Sequence, residues 1–184
     1  PEGAIYYGLG TAAYNNAYLI DEDGKAQYDL HSERGTILRI EPDLSKRSIV
    51  CTGVRFTIGM GFDNHGELFA TDQEGATWLA NGNPFDELLH IPTTAGATKR
   101  HFGFPPRHPK HLPRVIDEPS LFDYGPQHQS TCGMAFNLPR NFALAKDDSS
   151  AQPQASLFGP DDWRGNVFVT GESRGKLYRT ELVR

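Results

Sequence analysis

The chain has 184 residues, 38% of them apolar, with 19 glycines, 13 prolines and a net charge of −5. That length supports one domain with a real core, and the acidic balance excludes a general nucleic-acid binder, whose surface is basic. No apolar run approaches the roughly 20 residues that a membrane-spanning helix needs, so no membrane span is expected.

In chain order, residues 4–10 read as a strand, followed by a loop that holds Asn15, Asn16 and the turn Asp21-Glu-Asp-Gly24. Thr36–Ile40 is the next strand, ended by Glu41-Pro-Asp43, and Ser48–Thr52 is a third. Ile58–Phe62 opens a new unit. Asp63-Asn-His-Gly66 supplies the positive φ angles of a hairpin turn and leads into Glu67–Thr71. Glu87–Ile91 is a short strand. Residues 92–128 carry seven prolines, which regular central strands exclude, and read as a long ordered loop. Thr131–Asn137 restarts the pattern. Residues 146–156 are polar and poor in apolar side chains, so a flexible loop is expected. Trp163–Thr170 and Lys176–Val183 are the last strands, and no segment has helical periodicity.

The strands repeat. Gly3-Ala-Ile-Tyr-Tyr-Gly8, Gly66-Glu-Leu-Phe-Ala-Thr71 and Gly165-Asn-Val-Phe-Val-Thr170 share one pattern of glycine, aliphatic and aromatic positions. Arg34-Gly-Thr-Ile-Leu-Arg-Ile40 matches Arg174-Gly-Lys-Leu-Tyr-Arg-Thr180, and Gly59-Met-Gly-Phe-Asp63 matches Gly133-Met-Ala-Phe-Asn137. Recurring short strands opened by glycine are the pattern of β-propeller blades. The expectation is an all-β chain in which 1–184 is a segment of one propeller domain, about two and a half blades. Pro1 runs almost directly into the first strand, so the sequence reads as a section of a longer protein.

Few residues suggest chemistry. Gly171-Glu-Ser-Arg-Gly175 matches the nucleophile elbow of serine hydrolases, which needs a helix after the serine and a histidine later in the chain. A strand follows instead and the chain ends, so no hydrolase is expected from that motif. His101, His108 and His111 are close together but separated by prolines with no cysteine nearby, which fits surface histidines better than zinc ligands. Asp21-Glu-Asp-Gly24 opens like a calcium loop, yet the twelfth position is Ser32, so a hairpin turn is expected. Cys51 and Cys132 fit either buried free thiols or, in an oxidising compartment, a disulfide. Arg55, just before a strand, suits an anionic ligand, or is a plain surface cation. The turn Asp72-Gln-Glu-Gly75 offers carboxylates and carbonyls to a hard cation.

As an ordered set, these phrases resemble the soluble glucose/sorbosone dehydrogenases and aldose sugar dehydrogenases. The matching residues run from Leu30-His-Ser-Glu-Arg-Gly-Thr-Ile-Leu-Arg-Ile40 through Thr52-Gly-Val-Arg-Phe-Thr-Ile-Gly-Met-Gly-Phe-Asp63 and Glu67–Gly75. They continue with His101-Phe-Gly-Phe-Pro105, Gly133–Phe136, Trp163–Val169 and Arg174–Arg179. The resemblance implies a six-bladed propeller that oxidises a sugar or alcohol hydroxyl with pyrroloquinoline quinone (PQQ) and calcium, in the periplasm or secreted. It places Arg55 at the quinone and Glu74 and Gly75 at the calcium. Phe56, Glu74 and Ser173 depart from the family's usual residues at quinone or calcium positions. The family's histidine base would precede Pro1 and its later arginines would follow Arg184, so the segment alone is expected to be inactive. It is expected to need the remainder of its ring or a second copy of itself. The alternative is a non-catalytic propeller that binds a carbohydrate or a protein partner.

Overall fold

The computed structural model describes residues 3–11, 19–20, 23, 26–27, 32–74, 85–93, 100–104, 120–125, 128–138 and 157–183. The fold over these residues is all-β, with twelve strands and two short 3-10 turns. The strands are β1 (Ile5–Leu9), β2 (Leu19–Ile20), β3 (Ala26–Gln27), β4 (Thr36–Ile40), β5 (Arg47–Thr52) and β6 (Thr57–Phe62). They continue as β7 (Leu68–Asp72), β8 (Asp86–Ile91), β9 (Phe122–Tyr124), β10 (Thr131–Phe136), β11 (Val167–Gly171) and β12 (Lys176–Thr180).

Three antiparallel meanders carry the fold: β1-β4-β5, β6-β7-β8-β9 and β10-β11-β12, with β2-β3 as a separate small hairpin. Of the turn expected at Asp21–Gly24, all but Asp23 lies outside the described residues. Each repeated phrase falls on an equivalent strand. The Gly-Met phrases lie on β6 and β10, which lead their sheets. The Gly-aromatic phrases lie on β1, β7 and β11, and the Arg-Gly phrases lead into or lie on β4 and β12, which pair with β1 and β11. In this alignment the described residues give the first sheet no counterpart of β6 and the third sheet no counterpart of β9.

The middle sheet is the filling between the other two. Every residue of β7 is buried, because side chains alternate across the strand and both faces are covered. Leu68 and Ala70, with Leu89 and Ile91, pack on Ile37, Cys51 and Val54 of the first sheet and its exit. Phe69, Leu88 and Tyr124 face the other way and pack on Phe136, Val167 and Val169 of the third. Phe69 meets Phe136 edge-on, with ring centroids 5.3 Å apart.

The leading strands approach one another through glycine. A Cβ on Gly8 of β1 would lie 2.9 Å from Thr57 Cβ, and one on Gly59 of β6 would lie 2.7 Å from Met134 Cβ of β10. No real side chain tolerates such distances, so backbone contacts backbone there.

Several expectations need correction. Phe122–Tyr124 forms a strand inside the proline-rich stretch. It spans a proline-free interval and pairs only with β8, an edge position where flanking prolines do no harm. Trp163 ends a 3-10 turn, Asp161–Trp163, so the strand begins later, at Val167. His101 is not on the surface. It is 4% exposed, bridges to Thr52, and its Nδ1 accepts the Gly103 N–H at 3.0 Å. Of the two readings of the cysteines, free thiols hold, with Cys51 buried as expected and Cys132 only half-buried. The expected flexible loop at 146–156, together with His108, His111 and Gly75, lies outside the described residues.

Candidate functional site

Polar chemistry collects at one end of the sheets, where β7 and β11 finish and β6, β8 and β10 start. Asp72, the last residue of β7, is fully buried. Its Oδ2 accepts the Arg55 N–H at 2.7 Å, and its Oδ1 accepts the Phe56 N–H at 2.8 Å and the Thr57 hydroxyl at 3.2 Å. Arg55 is 5% exposed, and its Nη1 donates to Gln73 O at 2.8 Å. The sequence pairs Arg55 and the Asp72–Gly75 turn only by resemblance; here Arg55 is in direct contact with Asp72 and Gln73 of that stretch. The reading of Arg55 as a surface cation is therefore corrected.

Glu74 is also buried, and its N–H donates to Asp86 Oδ1 at 3.0 Å. Among the described residues, Asp72, Glu74, Asp86 and Glu87 bring four carboxyl groups to this end around the single guanidinium of Arg55. Burial pushes Asp72 up to about 7, against the pull of the N–H groups of Arg55 and Phe56. Burial, followed by the charges of Asp72 and Glu87, raises Glu74 well above the usual carboxylate range. Burial and then the charge of Asp72 raise Glu87 to about 9. The cause is physical: a carboxylate out of water loses more solvation than its neighbours return.

These shifts fix the sign of a pH dependence. An unfolded chain releases these protons near pH 4, while the folded chain keeps them to about 7 at Asp72 and about 9 at Glu87. Their stabilising contribution is full below pH 4 and is lost as pH rises through the folded values. Urea midpoints should therefore fall between pH 5 and 9, with each group contributing up to about 1.4 kcal/mol per pH unit until its folded value is passed. Midpoints that rise with pH over 5 to 7 would contradict this.

A second constellation adjoins the first, and sequence reasoning missed it. Asp86 opens β8 with its carboxyl fully buried. Its Oδ2 accepts the N–H groups of Gln129 and Thr131, both at 3.1 Å, and its Oδ1 meets His128 Nδ1 at 3.0 Å. His128 Nε2 lies 2.9 Å from Ser130 Oγ, and Ser130 Oγ contacts Ser173 Oγ. Ser130 holds φ at 52°, a left-handed angle that L residues adopt rarely. The sequence signal was His128-Gln-Ser130, a histidine and a serine two residues apart just before a strand.

Gln73 ties the two halves together, its Nε2 donating to Thr131 O at 2.9 Å. At the opposite strand ends a groove of about 250 Å³ is lined by Phe69, His90, Phe122 and Leu182. It holds one His90–Glu67 contact at 3.5 Å and no comparable cluster. No group of three or more His, Cys, Asp or Glu side chains among the described residues is arranged to hold a metal ion on its own. No family model matches the chain, and no curated protein matches it.

Proposed function

We propose that this chain is part of a six-bladed β-propeller similar to the glucose/sorbosone dehydrogenases, in a periplasmic or secreted protein that oxidises a sugar or alcohol hydroxyl with PQQ. The strand positions of the repeated phrases carry the proposal. One motif type recurs on equivalent strands of all three successive meanders, and two others each recur on equivalent strands of two of them. Such periodicity is what a ring of radiating blades requires. The remainder of the ring, or a second copy, would pair the outer edges at β1 and β12.

The residues present suit the implied groups in kind. Arg55 and the Gln73–Glu74 turn meet at 2.8 Å, so one cation and one set of oxygen donors share a place. Arg55 would hold a quinone carboxylate, and Glu74 and Gly75 would hold calcium, a hard cation suited to oxygen ligands. The buried carboxyl groups of Asp72, Glu74 and Asp86 and the half-buried Glu87 would balance its charge once calcium had displaced the protons that burial holds on them. When bound, PQQ supplies the hydride acceptor. The chain's own part is to fix Arg55 through Asp72 and to keep the turn in place.

A second reading, a non-catalytic propeller that binds a carbohydrate or protein partner, is favoured by one observation. Arg55 is 5% exposed, and part of its guanidinium is engaged by Gln73 O. One experiment separates the two. The full-length protein, given PQQ and calcium, should reduce a dye in an aldose-dependent manner and keep quinone absorbance after desalting. Absence of both would favour the binding module.

A further inference from the structure

We propose that Ser130 is a nucleophile activated by His128 and Asp86, and that this end of the molecule hydrolyses small esters. The hydrogen bonds dictate the direction of proton flow. Asp86 accepts at both oxygens, from the N–H groups of Glu74, Gln129 and Thr131. Its fourth partner, His128 Nδ1, must then be the donor, so the uncharged form of the ring is the Nδ1–H tautomer. In that form His128 Nε2 carries the lone pair and accepts from Ser130 Oγ–H at 2.9 Å. Ser173 Oγ donates in turn to Ser130 Oγ. A buried carboxylate orienting an imidazole that accepts from a serine hydroxyl is the arrangement that activates a serine.

Three further features point the same way. The left-handed backbone of Ser130 is held from outside, by Glu172 N–H on Ser130 O and Ser173 N–H on Gln129 O, both at 3.1 Å. Strain of this kind clusters at reactive positions. Access is open: His128 keeps about a fifth of its side chain exposed, and Ser173 is exposed. The Gly171–Gly175 elbow motif lacks a histidine after its serine, yet the fold brings His128 to it from earlier in the chain, through Ser130.

The chemistry balances. Ser130 Oγ attacks the ester carbon and its proton passes to His128 Nε2; the C–O bond to the alcohol breaks, and the alcohol leaves with that proton. Water, deprotonated by the same nitrogen, then cleaves the acyl-serine and restores the Ser130 hydroxyl. The N–H groups of Glu172 and Ser173 are already given to carbonyls and cannot steady an oxyanion. The substrates are therefore esters with good leaving groups, not amides.

The test treats the full-length protein with a fluorophosphonate, which loses fluoride as the serine oxygen bonds to phosphorus, and maps the adduct by mass spectrometry. A single adduct on Ser130 is expected, with p-nitrophenyl acetate hydrolysis that the probe abolishes. His128→Gln should slow both by roughly a hundredfold or more. Ser130→Gly suits the left-handed angle, so it should fold with an unchanged circular dichroism spectrum and take no label. Asp86 acts by positioning. Asp86→Asn should lower kcat without raising KM and move the His128 ring proton to Nε2, read from its 15N shifts. The proposal is overturned if the folded protein takes no label at Ser130, or if labelling survives His128→Gln.

Discussion

Asp72→Ala should cost about 3–5 kcal/mol, the scale for breaking a buried charge pair, and leave much of the protein unfolded at room temperature. The side chain does three things at once. It satisfies the N–H groups of Arg55 and Phe56 within 2.8 Å and receives the Thr57 hydroxyl. It also faces the buried charge of Arg55. Alanine would strand one buried donor, the Arg55 N–H, worth about 1–3 kcal/mol when left unsatisfied, together with the part-buried Phe56 N–H, and would leave the guanidinium without that carboxylate. Asp72→Asn keeps one acceptor oxygen and should cost less. Urea denaturation of both variants measures the difference. An alanine variant within about 1 kcal/mol of the parent would mean that water or rearrangement replaces the carboxylate, and the buried centre described here would be wrong.

Gly59→Val should be comparably severe, for a steric reason. A Cβ at this position would sit 2.7 Å from Met134 Cβ and 2.8 Å from Thr71 Oγ1, and closer still to Cys132 O. Two of these atoms belong to β10 and one to β7, so no single side chain can swing away to make room. The leading strands would have to separate, breaking the Thr71 contacts to Gly59 N and Cys132 O. Overpacking usually costs 1–3 kcal/mol. Backbone on both sides puts this case at about 3 kcal/mol or above. Thermal melts and soluble yield give the answer, with Gly61→Ala as the control: its added methyl would meet only the Met134 methyl at 3.3 Å and the Phe136 ring beyond. Equal behaviour of the two variants would show that β6 and β10 do not pack as described.

The strands were legible because their signals are local. Alternating apolar residues between glycine-rich turns place β4 residue for residue and most others within a residue or two. β9 was not legible, because proline density over 92–128 outweighed a proline-free interval of six residues that forms an edge strand. The site was half legible. Arg55 and the Asp72–Gly75 turn stand out by charge and position, but their contact arises only when β6 and β7 pair. Asp86, His128 and Ser173 come from three distant segments, and nothing in their spacing announces that the start of β8, the entry to β10 and the exit of β11 share one end. His101 failed for the opposite reason: neighbours rich in histidine and proline suggest a solvated loop, whereas the bridge to Thr52 draws the ring inside.

Within each of the three main sheets, strands follow one another in chain order, but the β1–β4, β8–β9 and β10–β11 ladders close across long connections while the others join near neighbours in sequence. A ribosome therefore releases the meanders one at a time, and the short-range ladders can form before the long-range ones. The exposed cost falls between meanders. Once β5 has emerged, the greasy side of the first sheet, with Ile37 and Cys51, stays wet until Leu68, Leu89 and Ile91 arrive to cover it. The middle sheet then waits in the same way for Val167 and Val169. Nascent chains should be most prone to clumping, and most dependent on chaperones, in those two intervals of synthesis.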